Sequence, residues 1–154
     1  MSRPEVHGRV LYGADQLVAT LVAAHIPEVQ ARFDKYKALG VLRHRQGEAE
    51  PTLIGGVVFH NYHGHDVEMS SVMLDPRWAS PDVMRRLFLF PFVTMGCVRM
   101  TTITSEDNTA ARRADEHMGF KVEGVHPKGW DGVRSAISYG MMRDDCRWIR
   151  DRDE

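Results

Sequence analysis

Three β-rich segments follow one another in the first half of the chain with only polar turns between them. They are ALGVLRHR from residue 38, LIGGVVFHNY from residue 53 and DVEMSSVML from residue 66. The turns RQGEAEPT and HGHD carry the Gly, Pro and polar residues of hairpin loops. Such a succession predicts neighbouring strands of one sheet, joined as hairpins.

Helical spacing of apolar residues marks the rest of the chain. DQLVATLVAAH follows a short first strand, RVLY, and we expect a second short helix in EVQARFDKYKA. Ser80 is placed to cap the next helix, and Pro91 should kink it. A last helix runs from about Thr109 to Met118, with strands in CVRMTTIT and SAISYGMMR on either side. This order predicts a mixed α/β layer fold.

Composition limits the function classes. The 154 residues fit one domain, 1–154, and 20 Lys and Arg against 21 Asp and Glu leave a net charge of −1. That balance gives no overall basic field for nucleic acid. The two cysteines lie 49 positions apart, which indicates neither a disulfide framework nor a zinc knuckle. The start lacks an apolar signal segment and no run approaches a membrane span, so we expect a cytoplasmic protein without a membrane partner.

Three motifs in the second half carry a family resemblance. They are Asn108-Thr-Ala-Ala111, the run MGFKVEGV over 118–125, and YGMMR over 139–143. In this order and spacing the chain resembles the GNAT N-acyltransferases, closest to the branch that acetylates ribosomal-protein N termini. The resemblance implies a central, mostly antiparallel mixed sheet, a splayed pair formed by the fourth and fifth predicted strands, and helices on both faces.

The resemblance also implies acetyl-CoA as the co-substrate, with no metal. Its pantetheine arm would lie in the gap between the splayed strands, against exposed backbone. Its pyrophosphate would lie at the N-terminus of the helix near Ser80, where free amides and the helix dipole favour anions. The residues expected to bind it are Val72, Met73, Leu74, Arg77, Ser80, Asn108 and Arg112.

The phosphate turn departs from the family pattern. Arg77-Trp-Ala-Ser80-Pro-Asp82 stands where the family places small residues. Pro81 removes an amide donor, and the Asp82 carboxylate would repel a pyrophosphate unless it turned away.

Acylation of an amine requires a base, because an ammonium has no lone pair. Glu68 and Asp66 share one face of their predicted strand and are the candidate bases. The family's usual acid is a Tyr seven residues after the helix's Asn; that position holds Asp115, so the resemblance assigns no general acid. His60, His63 and His65 form a polar cluster near Asp66, which we interpret as a solvated hairpin tip rather than a metal site.

The function expected from these features is transfer of an acetyl group from acetyl-CoA directly to an amine in a ternary complex. The acceptor is a protein N-terminus or lysine, a small-molecule amine, or a nucleobase, and the protein is a monomer or homodimer. Two alternatives stay open: a degenerate GNAT-fold binding or assembly module, and a nucleic-acid-modifying enzyme. The second requires a basic surface formed by Arg43, His44, Arg45, Arg85 and Arg86.

Overall fold

A computed structural model describes residues 3–28 and 33–150 of the chain. The described residues form eight β-strands and three α-helices, together with a π-helical turn and a short 3₁₀ turn. The elements, in chain order, are β1 (Glu5–His7), β2 (Val10–Tyr12), α1 (Asp15–His25), β3 (Tyr36–Arg43), β4 (Thr52–His60), β5 (Asp66–Met73), α2 (Pro81–Leu89), a π-helical turn (Phe90–Thr94), β6 (Arg99–Ser105), α3 (Thr109–Met118), β7 (Lys121–His126), β8 (Ala136–Met142) and a 3₁₀ turn (Arg143–Asp145).

All eight strands form one sheet in the order β1-β2-β3-β4-β5-β6-β8-β7. The β5–β6 pair is parallel, and every other neighbouring pair is antiparallel. Parallel pairing begins at Asp66 with Arg99 and ends at Met69 with Thr102. Beyond that point the two strands separate. The predicted splayed pair is therefore confirmed and corresponds to β5 and β6.

Helices cover both faces of the sheet. On one face, α1 buries Val18 and Val22 against Ala38 and Val58 of β3 and β4. On the other face lies the larger core, to which α2 contributes Met84, Leu87 and Phe88, and the end of α3 contributes Met118. Alternate residues of β3 and β4 point to opposite faces, so each central strand supplies both cores.

The predicted cap at the start of α2 and the predicted end of α3 are confirmed. The Ser80 hydroxyl accepts a hydrogen bond from the Val83 amide at 3.2 Å, and Pro81 is the first residue of α2. Regular α2 ends at Leu89, where the π-helical turn containing Pro91 begins, because proline has no amide to donate. Gly119 ends α3 in a left-handed conformation with φ 110°.

One predicted helix is wrong over its last three residues. The helix expected in EVQARFDKYKA would reach Ala38, but β3 begins at Tyr36 and pairs with His60 through Val58 of β4. Sheet pairing and burial of Ala38 outweigh the local helical spacing. Residues 29–32 of that prediction lie outside the described part of the chain. The strand β1 was not predicted from the sequence.

Gly56 is required where α1 crosses β4. A Cβ atom built on it would overlap the Val18 side chain, since Val18 is fully buried against the strand at this point. We expect Gly56→Ala to lower the free energy of unfolding by about 1–3 kcal/mol in urea denaturation. The loss should shrink when Gly56→Ala is made together with Val18→Ala, because the smaller side chain leaves room for the new methyl group. An equal loss in both backgrounds would contradict this contact.

Candidate active site

The separation of β5 from β6 leaves backbone groups of β5 without a strand partner on one side. The Leu74 amide donates to the Ile54 carbonyl of β4 at 2.7 Å. Because backbone groups along a strand alternate between its two edges, Val72 faces β4 as well, whereas Ser71 and Met73 face β6. The edge that faces the gap therefore presents the amides of Ser71 and Met73.

A cavity of about 330 Å³ fills this gap, and we call it the β5–β6 cleft. Its walls are the separated ends of β5 and β6, the inward face of α3, and the end of α1. The described residues that line it are His25, Ile26, Ser70, Ser71, Val72, Met73, Trp78, Thr102, Ile103, Thr104, Asn108, Ala110, Ala111, Ala114, Asp115, Met118 and Trp130. An elongated molecule can lie along β5 here, in the place of an added strand.

Asn108 is both a helix cap and part of the cleft wall. Its side-chain oxygen accepts a hydrogen bond from the Ala111 amide at 3.1 Å and so caps α3. The oxygen is thereby used, and the NH2 group is the part of the side chain that can donate to a ligand.

The turn before α2 offers few amides to an anion. The backbone amides of Trp78 and Ser80 donate to backbone carbonyls. The backbone amide of Arg77 donates to the Asp75 carboxylate at 2.9 Å, and that of Val83 donates to the Ser80 hydroxyl. Two of the turn residues, Pro76 and Pro81, have no amide hydrogen. Arg77, whose side chain is 85% exposed and whose Nε lies 3.9 Å from Asp75 Oδ1, is the positively charged side chain of this turn.

Asp82 does not place a free negative charge at the start of α2. Its carboxylate accepts a hydrogen bond from Arg86 Nε at 3.0 Å, one turn along the helix. The neighbouring cation offsets the carboxylate, so the departure from the family pattern at Asp82 does not exclude a phosphate group.

Four of the seven expected coenzyme residues do not line the cleft: Arg77 and Ser80, which belong to the turn before α2, and Leu74 and Arg112. Leu74 is 51% exposed, and its amide is bonded to β4. Arg112 donates to the Tyr139 hydroxyl at 3.1 Å and to the Glu106 carbonyl at 3.2 Å, which holds its side chain against β8. Val72, Met73 and Asn108 line the cleft as the sequence predicted.

A second cavity, of about 590 Å³, shares the wall residue Ile103 with the cleft, and we call it the Glu68 pocket. Its described wall consists of Asp34, Lys35, His60, Asn61, Tyr62, Glu68 and Ile103. Glu68 is buried on β5, and its carboxylate lies 3.6 Å from His60 Nε2. Since both cavities have Ile103 in their walls, they are neighbours on the same side of the sheet.

The prediction that His60 belongs to a solvated hairpin tip is wrong. The tip of the hairpin, residues 61–65, is exposed as predicted, but His60 is fully buried at the end of β4. Its Nε2 lies 2.9 Å from the Ser70 hydroxyl, and Phe33 packs against its ring at a centroid distance of 4.9 Å. The register of β4 with β5 places His60 opposite Glu68. The sequence did not indicate this contact, because His60 was assigned to the hairpin tip.

Asp66, the second candidate base, has a different environment. Its carboxylate lies 3.4 Å from Arg99 Nε and accepts a hydrogen bond from the Thr101 hydroxyl at 3.2 Å. Arg99 also pairs with Glu123 on β7. Asp66 lines neither the β5–β6 cleft nor the Glu68 pocket, whereas Glu68 lines the second of these cavities.

Asp115 is a buried acid on the cleft wall. The residue is 6% exposed, and burial raises the pKa of its carboxyl group from 3.8 to about 7, with a smaller contribution from the charge of Glu116. A carboxyl group with this pKa is partly protonated at neutral pH.

A third cavity, of about 390 Å³, groups some of the basic residues considered above. Its lining comprises Arg9, Arg43, His44, Arg45, Asp75 and Arg77. Arg43 is paired with Asp75 at 3.2 Å and with Glu48 at 4.0 Å, which offsets much of this charge. Arg85 and Arg86 do not line it.

Within residues 3–28 and 33–150, no three His, Cys, Asp or Glu side chains are grouped to hold a metal ion, and no helix is long and apolar enough to cross a bilayer.

The sheet order, the parallel β5–β6 pair that separates, and the helices on both faces define the GNAT acetyltransferase fold. Solved structures of this fold match the chain along nearly its whole length. An acetyltransferase of the GNAT family from Bacillus anthracis is 19% identical with a TM-score of 0.62, covering 92% of this chain and 99% of the other.

Two further structures match in the same way. A GCN5-related N-acetyltransferase from Brucella melitensis is 18% identical with a TM-score of 0.63, covering 93% of this chain and 80% of the other. A ribosomal-protein-S5-alanine acetyltransferase from Vibrio fischeri is 12% identical with a TM-score of 0.62, covering 95% and 100%. No family model and no curated protein matches the sequence. At these identities the likeness establishes the fold.

Proposed function

We propose that this protein is an acyl-CoA-dependent N-acyltransferase that transfers an acetyl group from acetyl-CoA directly to an amine. The observation that carries the proposal is the cleft opened by the separation of β5 and β6 next to a pocket that contains a buried carboxylate. One cavity suits an extended thioester and the other suits the amine. The two cavities share the wall residue Ile103, and in this proposal the amine and the thioester react there without a covalent enzyme intermediate.

In this proposal Glu68 accepts the proton of the attacking amine, directly or through water. A base is needed because only the neutral amine can attack a carbonyl carbon. His60 lies between Glu68 and the Ser70 hydroxyl, at 3.6 Å and 2.9 Å respectively, and orients the carboxylate. The Met73 amide, and the Ser71 amide beside it, face the cleft and polarise the thioester carbonyl.

The residues present fit acetyl-CoA. The pantetheine arm carries amides that can pair with the β5 edge at Ser71 and Met73, and the Asn108 NH2 group can donate to it. The phosphates lie in the proposal near the start of α2, where Arg77 supplies positive charge in place of the amides that the turn lacks. The acceptor is proposed as a protein N-terminus or lysine, a small-molecule amine, or a nucleobase.

The first test is titration calorimetry of the protein with acetyl-CoA. We expect binding to the wild type and a roughly 3–10-fold weaker affinity for Asn108→Ser, because one ligand hydrogen bond is lost. Ser retains the α3 cap, so this variant separates ligand binding from helix stability. Glu50→Gln, an exposed change in the β3–β4 turn, is the control and should bind as the wild type does.

Release of CoA is then followed with a panel of spermidine, an Ala-terminated peptide, a Lys-containing peptide and a nucleoside with an exocyclic amine. Turnover with one of them supports the proposal. Absence of acetyl-CoA binding would contradict it and favour the alternative, a binding or assembly module that has kept the fold without the chemistry.

A further inference from the structure

The Asp115 carboxyl group is buried without a compensating partner. It lies on the face of α3 that lines the β5–β6 cleft, and the residue is 94% buried, since 6% of its surface is exposed. Among the residues that the structure describes, none donates a hydrogen bond to this carboxyl group. Burying a carboxylate in this way is costly, so a function is the usual reason for its presence.

The position of Asp115 along the cleft follows from the topology. β6 and β7 are both antiparallel to β8, so they are parallel to each other, and α3 between them runs back along β6. Asn108, at the start of α3, lies at the open end of the cleft. Asp115 lies seven residues, or about 10 Å, further along the helix. It therefore lies toward the closed end, where β5 and β6 begin to separate at Met69 and Thr102.

Most of the side chains that line the cleft around Asp115 are uncharged. On α3 itself, Arg112 is turned to Tyr139 of β8, and the exposed Glu116 is the one carboxylate that contributes to the raised pKa. Across the cleft, β6 presents Thr102 and Thr104, and β5 presents Ser70 to Met73, all without charge. The titratable group that α1 places on the described wall is His25.

We propose that Asp115 is the general acid that protonates the departing sulfur of the acyl donor. The inference rests on the proposed acyltransferase function, and it identifies the proton donor for that reaction. A carboxyl group buried among uncharged side chains is partly protonated at neutral pH, and it is a stronger acid than an alkyl thiol, whose pKa is about 8.5. Transfer of the proton to a thiolate is therefore downhill.

The step is balanced in atoms and charge. The amine nitrogen forms a bond to the carbonyl carbon and loses a proton to Glu68. The carbon–sulfur bond then breaks and its electron pair stays on sulfur. Asp115 gives its proton to that sulfur and becomes a carboxylate. After product release Glu68 returns its proton to solvent and Asp115 takes one up, so the enzyme is restored without a further reactant.

The experiment compares wild type with Asp115→Asn, using acetyl-CoA and the fastest amine of the panel between pH 5.5 and pH 9. At pH 6 we expect the variant to lose about 10²-fold or more in kcat, because an amide is not a comparable proton donor. Above a pH of about 7 the ratio of wild-type to variant rate should fall about tenfold per pH unit, since wild-type Asp115 loses its proton there. A merely structural residue would give a ratio that does not depend on pH.

Glu116→Gln provides a second readout at an exposed site outside the cleft. It should keep the low-pH rate and move the fall in rate ratio to lower pH, because it removes a negative charge that raises the pKa of Asp115. Calorimetry of acetyl-CoA and a thermal melt of each variant establish that binding and fold are retained.

Two results would overturn the inference and they differ. If the wild type binds and uses acetyl-CoA but Asp115→Asn keeps its rate and pH profile, Asp115 is not the acid and the acyltransferase proposal stands. If the wild type does not bind acetyl-CoA, the proposed function fails and the role of Asp115 fails with it.

Discussion

Replacing Glu68 with Gln is expected to lower kcat by about 10²–10⁴-fold, the usual contribution of a general base. Gln has the size of Glu and can still bond to His60, so the fold and the Glu68 pocket should persist. What the variant loses is the ability to take a proton from the attacking amine. Steady-state release of CoA with the fastest amine measures the effect, and acetyl-CoA affinity from calorimetry should be nearly unchanged.

Asp66→Asn distinguishes the two acids that the sequence placed on one strand face. Asp66 is held by Arg99 and Thr101 outside both cavities, so we expect a much smaller loss of kcat than for Glu68→Gln. Glu50→Gln controls for the removal of a carboxylate elsewhere. If Asp66→Asn abolished turnover and Glu68→Gln did not, the base would be Asp66 and the assignment made here would be reversed.

Stability should decrease with rising pH because of Asp115. In the unfolded chain this acid ionises near its usual pKa of 3.8, whereas in the folded protein it holds its proton up to about pH 7. Between these values the folded state binds the extra proton, so each rise in pH favours unfolding. The full shift corresponds to about 4 kcal/mol, which is a large part of the stability of a small domain.

The measurement is urea denaturation of wild type and Asp115→Asn at pH 5 and pH 8. The stability of the variant relative to wild type should grow by roughly 2.5 kcal/mol between these pH values, since the amide never ionises. Asp131→Asn is the control of opposite kind: amides of Arg134 and Val133 lower the pKa of Asp131, so it is ionised in both states throughout this range. Its difference from wild type should therefore stay constant. An equally constant difference for Asp115→Asn would show that its carboxyl group is not perturbed.

Local signals in the sequence were sufficient for most of the fold. Ser80 and Gly119 mark helix ends because a hydroxyl can satisfy a free amide and glycine tolerates a positive φ. The end of the segment 28–38, from Tyr36 onward, shows where such signals fail. Its helical spacing is real, but pairing with β4 and burial of Ala38 depend on residues 20 positions away.

Local signals also predicted only part of the candidate site, because some of its contacts join residues that are distant in the sequence. Val72, Met73 and Asn108 follow from motif and strand order, and they line the cleft. Arg112 was expected at the phosphates, yet Tyr139 and the Glu106 carbonyl hold it, and neither neighbour is evident from the sequence. His60 was assigned to a solvated hairpin, although the length of β4 buries it against Ser70.

The sequence by itself determined most of the order of strands and helices, apart from β1 and the start of β3. It also determined the capped helix ends and the resemblance to an acyltransferase fold, because these depend on neighbours within a few residues. Only the tertiary structure distinguishes the environments of Glu68 and Asp66, since one is buried beside His60 and the other is paired with Arg99. It also decided the state of Asp115. The same carboxyl group would be ionised on an exposed helix, whereas burial on the cleft-facing side of α3 raises its pKa to about 7 here.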